Sequence, residues 1–348
     1  PAPAATSAPR CGRTVRMTGL PLPINNVTGA SVDRSKRARH GRLHRDRSPS
    51  ASTVSSSLPM PLVSMSPMLA TARQEGWAVA AFNPVDYAST RAIVRAAEAS
   101  AAPVIAQFST KTVKYYGPAA IVGWLRELAG SSPAPVALHL DHGKDLAVIQ
   151  RCLEAGWTSV MIDASDKPFA ENLALTRQVV EMAARTGASV EAEIGEIGGV
   201  EEDVTGSAEH YADVGQSLEF CQAVPLGVFA PAIGTAHGVY STEPKIAWDR
   251  LEAIYRGTKT PLALHGGTGL SDDVIRRCIR LGCAKINIST HLKHVFIDSF
   301  VAWHRHHPDD YEPLKVLDAQ STAMIVLIQE KIVQFGGAGK AARIPFSP

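Results

Sequence analysis

No stretch of this 348-residue chain stays apolar for the roughly 18 positions that a membrane-spanning helix needs, and no secretory apolar core lies near its N-terminus. Cysteine is scarce and unpatterned. Its five positions (Cys11, Cys152, Cys221, Cys278, Cys283) include no CxxC pair, and the odd count argues against a disulfide framework and for reduced, cytoplasmic thiols. No GxGxxG succeeds the first apolar run, which argues against a dinucleotide-binding open sheet. Nor is charge of one sign spread along the chain. Up to Pro59 ten basic residues face only Asp33 and Asp46, a net of +8, which leaves 25 basic against 31 acidic residues, a net of −6, for the remainder. The basic excess belongs to a leader, so it says nothing of nucleic-acid binding by the folded body.

Residues 1–59 are rich in Pro, Ser, Ala and Arg and show neither helical nor strand periodicity. Such a segment buries too little apolar surface to offset the entropy of ordering, and disorder is predicted. Two readings of it stand. It is an Arg- and Ser-rich, acid-poor targeting segment, or it comes from an over-extended reading frame upstream of a start at Met60. The abrupt onset of organised sequence at Met60 favours the second.

From Met60 onward the chain is regular. Hydrophobic content of 45% with 20% charged residues allows a full core. Short apolar runs read as buried parallel strands: Ala78–Phe82, Val104–Phe108, Val136–Leu140, Ser159–Ile162, Ser189–Glu193, Gly227–Ile233, Leu262–Leu264 and Ala284–Ile288. Amphipathic stretches between them predict helices beginning near Asp86, Pro118, Asp145, Ala170, Gln216, Pro244 and Ser271. Further helices are expected after Thr290 and over Pro313–Phe335. Eight strand–helix units in about 250 residues is the size of an α/β protein of the (β/α)8 TIM-barrel type, so one domain is expected over 60–348.

In such a barrel the reacting residues sit at the C-terminal ends of the strands. The third strand ends LHLDHG with Asp141 and His142, the fourth MIDAS with Asp163, and the fifth EAEIG with Glu193. The sixth ends IGTAHG with His237 and the seventh LHGGTG with His265. One histidine taken singly is an ordinary hydrogen-bonded residue. Three at equivalent positions, each beside Gly or Asp, can converge on one ion. Neutral imidazoles suit zinc, and three protein ligands leave a coordination position open for substrate. His139, inside its strand, reads as structural or as support for a ligand. Asp141 keeps three roles open: a further ligand, an orienter of a histidine, or a general acid/base.

Two loops carry a second signal. Gly266, Gly267, Thr268 and Gly269 come after the seventh strand, and Asn287, Ile288, Ser289 and Thr290 close the eighth. Loops after those strands commonly form a phosphate site from backbone N–H groups and a helix N-terminus, where glycine permits close approach. The loop after the fifth strand, GEIGGVEEDVTG, places Glu196, Glu201, Glu202 and Asp203 together. It either closes over a substrate and delivers a base or is a solvated acidic loop, and spacing does not choose.

From Met60 to about Ala342 the motifs MPLVSM, AVAAFN, PVIAQFS, LHLDHG, TSVMIDAS, SVEAEIG, IGGVEEDV, YAD, IGTAHGVY, HGGTG, AKINIST and FGGAGKA succeed one another. In that order they resemble the class II fructose-bisphosphate aldolases and their tagatose-bisphosphate and inositol-catabolism relatives. The resemblance implies a lyase of carbohydrate metabolism and glycolysis that splits a ketose 1,6-bisphosphate, foremost fructose 1,6-bisphosphate, into dihydroxyacetone phosphate and an aldehyde such as glyceraldehyde 3-phosphate. It implies zinc on His142, His237 and His265, with Asp163 and Glu193 near enough to hold a displaced or second divalent ion. Asp141 matches the acid/base for the aldehyde-derived oxygen. Glu201, ahead of Glu202, matches the carboxylate that removes the substrate proton. Ser109, Gly238, Gly266, Gly267, Thr268, Asn287, Ile288, Ser289 and Thr290 match the dihydroxyacetone-phosphate site, beside which relatives often hold a monovalent cation. A cytoplasmic homodimer or homotetramer, with neither nucleic acid nor membrane as partner, completes the expectation.

The chemistry is self-consistent. Removing a proton beside a ketone leaves an enediolate, whose charge a Lewis acid stabilises without a lysine Schiff base. Lys285 on the eighth strand is the residue a Schiff-base rival would use. The chain departs from close relatives at Asp166 and Lys167, where two histidines are common, and at His291, where an acidic residue is usual. These changes bear on the second substrate, so tagatose 1,6-bisphosphate and 6-phospho-5-dehydro-2-deoxygluconate remain alternatives. From other classes, a metal-dependent hydrolase lacks its usual HxH on the first strand, which ends AAFN. A non-catalytic zinc- and sugar-phosphate-binding barrel would be expected to have lost a catalytic residue, and none is missing.

Overall fold

The structure, a computed structural model, describes residues 62–345 except 202–203, 207–210 and 241. The 1–59 leader and Glu202 and Asp203 of the acidic loop lie outside the described residues. Along the chain run α1 (Met65–Glu75), β1 (Val79–Phe82), α2 (Tyr87–Ala99), β2 (Val104–Ser109), α3 (Thr110–Tyr116), α4 (Pro118–Ala129), β3 (Val136–Gly143) and α5 (Leu146–Ala155). Then come β4 (Ser159–Ile162), α6 (Phe169–Ala184), β5 (Ser189–Ile194), β6 (Gly198–Glu201), β7 (Val204–Gly206), α7 (Val214–Ala223) and β8 (Val228–Pro231). The last are β9 (Ala236–His237), α8 (Trp248–Gly257), β10 (Leu262–Leu264), α9 (Asp272–Arg280), β11 (Cys283–Ile288), α10 (Thr290–His306) and α11 (Pro313–Gln334). Eight parallel strands close in the order β1-β11-β10-β8-β5-β4-β3-β2, the TIM barrel expected from the alternation.

Local chemistry starts the helices. Asp86, Asp145, Asp213 and Ser271 each accept a backbone N–H of the first turn of α2, α5, α7 and α9. The helix expected near Pro244 begins instead at Trp248, with no side-chain cap. Three features go beyond the strand and helix pattern legible in the sequence: helices α1 and α3, and a small sheet of order β7-β6-β9 outside the barrel.

Strand alternation sorts the barrel into two environments. Val104, Ala106, Phe108, Val136, Leu138, Leu140, Val190 and Ala192 pack outward in the large core shared with the helices. The opposite parity fills the interior. Near the strand starts it is small and apolar: Val79, Ile105, Ala137, Val228 and Ala263 cluster with Met65, Met68, Leu69 and Ala72 of α1. The helix therefore closes the floor of the barrel. Higher up the same parity is polar, with Gln107, His139, Asp141, Glu191, Glu193, Lys285 and Asn287 all buried. That polar column leads to the C-terminal mouth.

Candidate active site

Asp141 and His142 are consecutive in β3, yet both serve the interior. Asp141 keeps the inward parity of His139. His142 escapes the alternation because its backbone is left-handed, φ 48°, where the β3–β4 register also slips. A non-glycine residue there costs roughly 1–2 kcal/mol. The ring is then held by Asp163, whose Oδ2 lies 2.9 Å from His142 Nδ1. Asp163, just past β4, is itself set by Ser165 Oγ at 2.7 Å from Oδ1 and by its own N–H on Gly143 O.

His265 comes directly after β10 and is buried. Its Nε2 sits 2.7 Å from Glu191 Oε1, and its Nδ1 lies 3.2 Å from His142 Nε2. The third imidazole corrects an expectation. His237 does not end the sixth barrel strand. That strand, β8, stops at Pro231, and His237 stands on β9, which pairs with β6 through Gly199. The three rings nonetheless converge, with centroids 4.9, 5.1 and 5.9 Å apart and ligand atoms all within 4.8 Å of one another.

The donor set fits a divalent ion. An ionised carboxylate only accepts, so Asp163 and Glu191 fix the N–H of His142 on Nδ1 and that of His265 on Nε2. The remaining lone pairs, His142 Nε2 and His265 Nδ1, then face each other at 3.2 Å, a repulsion that a cation or a proton between them removes. Two vertices of a zinc tetrahedron with Zn–N of about 2.0–2.1 Å are about 3.3–3.4 Å apart, close to this spacing. Charge points the same way. Burial alone would push His142 down, but Asp141, Asp163 and Glu193 outweigh it and hold the imidazole up to about 10. Burial likewise opposes ionisation of Asp163, yet His142 and Lys144 bring it well below the usual range. Burial and the Asp163 charge drive Glu193 well above. The site thus favours positive charge at the His142 ring. His142, Asp163 and Glu193 form a second group whose ligand atoms lie within 4.8 Å of one another.

Asp141 meets two amide donors. Its Oδ2 accepts from Asn83 Nδ2 at 2.8 Å and Gln107 Nε2 at 3.2 Å, and Gln107 Nε2 also reaches Asn83 Oδ1 at 2.8 Å. Sequence reasoning singles out neither amide, although they stand in the AVAAFN and PVIAQFS motifs near the ends of the first two strands. It misses Glu191 too. The signal there is the parity shared with Glu193 in EAEIG, which sends both side chains inward. Lys285, the residue a Schiff-base rival would use, is fully buried with its Nζ 2.9 Å from Glu191 Oε2. His139 proves to support the same carboxylate, with Nε2 at 3.2 Å from Oε2 and Nδ1 on Ser159 Oγ at 2.7 Å.

The glycine-rich loops lie beside the rings. Gly266 has φ 67°, and a Cβ there would collide with Ala236 O. A Cβ on Gly267 would meet Asn287 O at 2.8 Å, so the two predicted loops touch. Gly238 turns the chain after His237 with φ 97°. Tyr240 Oη accepts from Ala236 N at 2.9 Å and donates to Gly266 O at 2.8 Å, tying the His237 segment to the His265 loop. Thr268 Oγ1 accepts from His291 N at 3.5 Å, and α10 begins at Thr290, directly after Ile288 and Ser289. Asn287 Oδ1 and Ser289 Oγ are buried without a hydrogen-bond partner in the described protein. Ser109 caps α3, accepting from Thr112 N at 3.3 Å. Glu201 ends β6, two residues beyond the Gly199–His237 pairing.

Comparison with known proteins agrees with this geometry. A family model described as fructose-bisphosphate aldolase class-II matches residues 63–340. A probable fructose-bisphosphate aldolase of Bacillus subtilis is 40% identical over 285 residues, covering 81% of this chain and all of the relative. A 6-phospho-5-dehydro-2-deoxy-D-gluconate aldolase of the same organism is 39% identical over 288 residues, covering 82% and 99%. Among solved structures, the YdjI aldolase of Escherichia coli K12 superposes with a TM-score of 0.72 at 31% identity, covering 80% of this chain and 99% of that one.

Proposed function

The chain belongs to the class II fructose-bisphosphate aldolase family and is an aldolase, and on that premise we propose that it cleaves fructose 1,6-bisphosphate with zinc held by His142, His237 and His265. The observation that carries the reading is the buried convergence of the three imidazoles, two of them with lone pairs fixed toward a common point. Zinc bound there would supply Lewis acidity, drawing off the negative charge that builds on the ketone oxygen as the carbon–carbon bond breaks or, in condensation, as the neighbouring carbon loses its proton. The chain's own groups supply the rest.

Asp141 takes the proton of the aldehyde-derived hydroxyl as the carbon–carbon bond breaks and returns it in condensation. Asn83 and Gln107 hold its carboxylate in place for that exchange. Glu201 moves the proton at the dihydroxyacetone-phosphate carbon. Its strand is paired to the His237 segment, which supports placing it at the site. Gly238, Gly266, Gly267 and Thr268 offer backbone to a phosphate, and Asn287, Ile288, Ser289 and Thr290 bring the N-terminus of α10. The unpartnered Asn287 Oδ1 and Ser289 Oγ suit the hydroxyl and phosphate of a ligand.

A second reading keeps the mechanism and changes the aldehyde. The similarity to a 6-phospho-5-dehydro-2-deoxy-D-gluconate aldolase is as strong as that to a fructose-bisphosphate aldolase. The rim beside Asp163 is also ion-paired rather than histidine-lined: Lys144 Nζ lies 3.9 Å from Asp163 and from Asp166, and Lys167 4.0 Å from Asp166. Cleavage assays on fructose 1,6-bisphosphate, tagatose 1,6-bisphosphate and 6-phospho-5-dehydro-2-deoxygluconate, each with and without a chelator, test both readings. Chelator-sensitive cleavage fastest on fructose 1,6-bisphosphate is expected. Fastest cleavage of the deoxygluconate supports the second reading, and undiminished cleavage after exhaustive chelation overturns the zinc assignment.

A further inference from the structure

Beneath the three histidines the barrel holds a charged cluster with no surface exposure at all: Glu191, Lys285 and His139. Burying a carboxylate and an ammonium costs several kcal/mol per ion unless each is paired and hydrogen-bonded. An apolar layer would pack there at no such cost, so a structural role alone does not account for the cluster. What distinguishes it is a bond to one of the three rings. Glu191 Oε1 accepts from His265 Nε2 at 2.7 Å.

We propose that Glu191 is a positioning residue for the metal centre, fixing the tautomer and ring angle of His265, and that Lys285 and His139 lock the carboxylate in the pose this requires. The proposal rests on the assignment of zinc to the three histidines. Lys285 Nζ donates to Glu191 Oε1 at 3.2 Å, while Oε2 makes no hydrogen bond and is approached by Lys285 Nζ at 2.9 Å and His139 Nε2 at 3.2 Å as charge contacts. His139 is anchored in turn by Ser159. These contacts restrain the carboxylate on the side away from His265. An acceptor on Nε2 keeps the proton there and leaves Nδ1 as the lone pair that faces His142 and His237. Lys285 balances the carboxylate, so the strong acceptor adds no net charge to a pocket already lined by Asp141, Asp163 and Glu193. Each member sits on a different strand, β3, β5 or β11, so the barrel wall sets their separation.

The test separates positioning from charge pairing. E191Q removes the charge and strands Lys285, whereas E191Q/K285M removes both buried charges together. E191D keeps the charge but shortens the side chain by one methylene, pulling it from His265. Zinc affinity of the full chain, read by competition with a chromophoric chelator, and melting temperature are measured for each, with H265A as reference. Expected is a folded E191Q/K285M, more stable than E191Q, and a folded E191D, both with zinc affinity lowered about 10–100-fold. Wild-type zinc affinity in either folded protein overturns the proposal and leaves Glu191 a mere partner for Lys285. Should the double variant not fold, E191D decides alone. If the wild-type chain binds no zinc, or H265A binds it as tightly as wild type, the zinc reading itself has failed, and the positioning role falls with it.

Discussion

His142 and His265 stand in the barrel wall and His237 stands outside it, and the two settings are built differently. The first two are carried by β3 and the end of β10, and each has its second ring nitrogen against a buried carboxylate, Asp163 or Glu191. His237 rides on a two-residue strand joined to the acidic loop by β6 and to the His265 loop by Tyr240. The wall is shaped by the parallel ladder and the core beneath it. The outer segment is tied in by the β6 pairing and by the Tyr240 hydroxyl. A site assembled this way has a rigid half that is made with the fold and a half that depends on a small sheet, which also carries Glu201.

The comparison can be broken most severely by taking away what the halves share. Exhaustive chelation should abolish cleavage, and added zinc should restore it. Circular dichroism should show the barrel unchanged throughout, because a catalytic ion contributes less to folding than a structural one. Next is Asp141→Asn, which keeps size and the bonds from Asn83 and Gln107 but cannot exchange a proton. Turnover should fall about 10²–10⁴-fold with zinc content unaltered, and steady-state kinetics with metal analysis decide this. Near-normal turnover would return Asp141 to a supporting role.

Gly199→Ala sharpens the contrast between the halves. Gly199 has φ 94°, and a Cβ would press on the His237 backbone. The left-handed conformation alone costs alanine roughly 1–2 kcal/mol. Because that strain falls outside the barrel, zinc affinity and turnover should drop while the main thermal transition scarcely moves. A fall in melting temperature with full activity would show that the small sheet serves the fold instead. The smallest effect is expected from Tyr240→Phe. Losing the hydroxyl leaves Ala236 N and Gly266 O without their bridge, worth about 1 kcal/mol, and turnover should fall several-fold with zinc retained.

Much of this is legible in the chain. Short apolar runs and amphipathic stretches predict eight strand–helix units, and the boundaries differ little from those observed, Val136–Leu140 being lengthened to Val136–Gly143 and Gly227–Ile233 trimmed to Val228–Pro231. The three histidines are legible because residue type and nearby glycine survive without coordinates. Helix α1 is not, since its apolar face is covered by the ends of strands that lie far along the chain, and nothing local distinguishes it from a surface helix.

Residue type, alternation and helix caps are local, so the sequence by itself determined the barrel and the kinds of ligand available. Asp141 and His142 share the site only because a left-handed residue breaks the strand parity, and parity rules cannot foresee where that strain is tolerated. Glu191 and Glu193 are equivalent in the sequence, two inward carboxylates on one strand. Closure of the barrel set Glu191 against His265, 74 residues away, and against Lys285, 94 residues away. His237 reached the same point through pairing with β6 rather than by ending a barrel strand. Those assignments belong to the tertiary structure, because the distance between residues on different strands is set by register and closure, which no local spacing encodes.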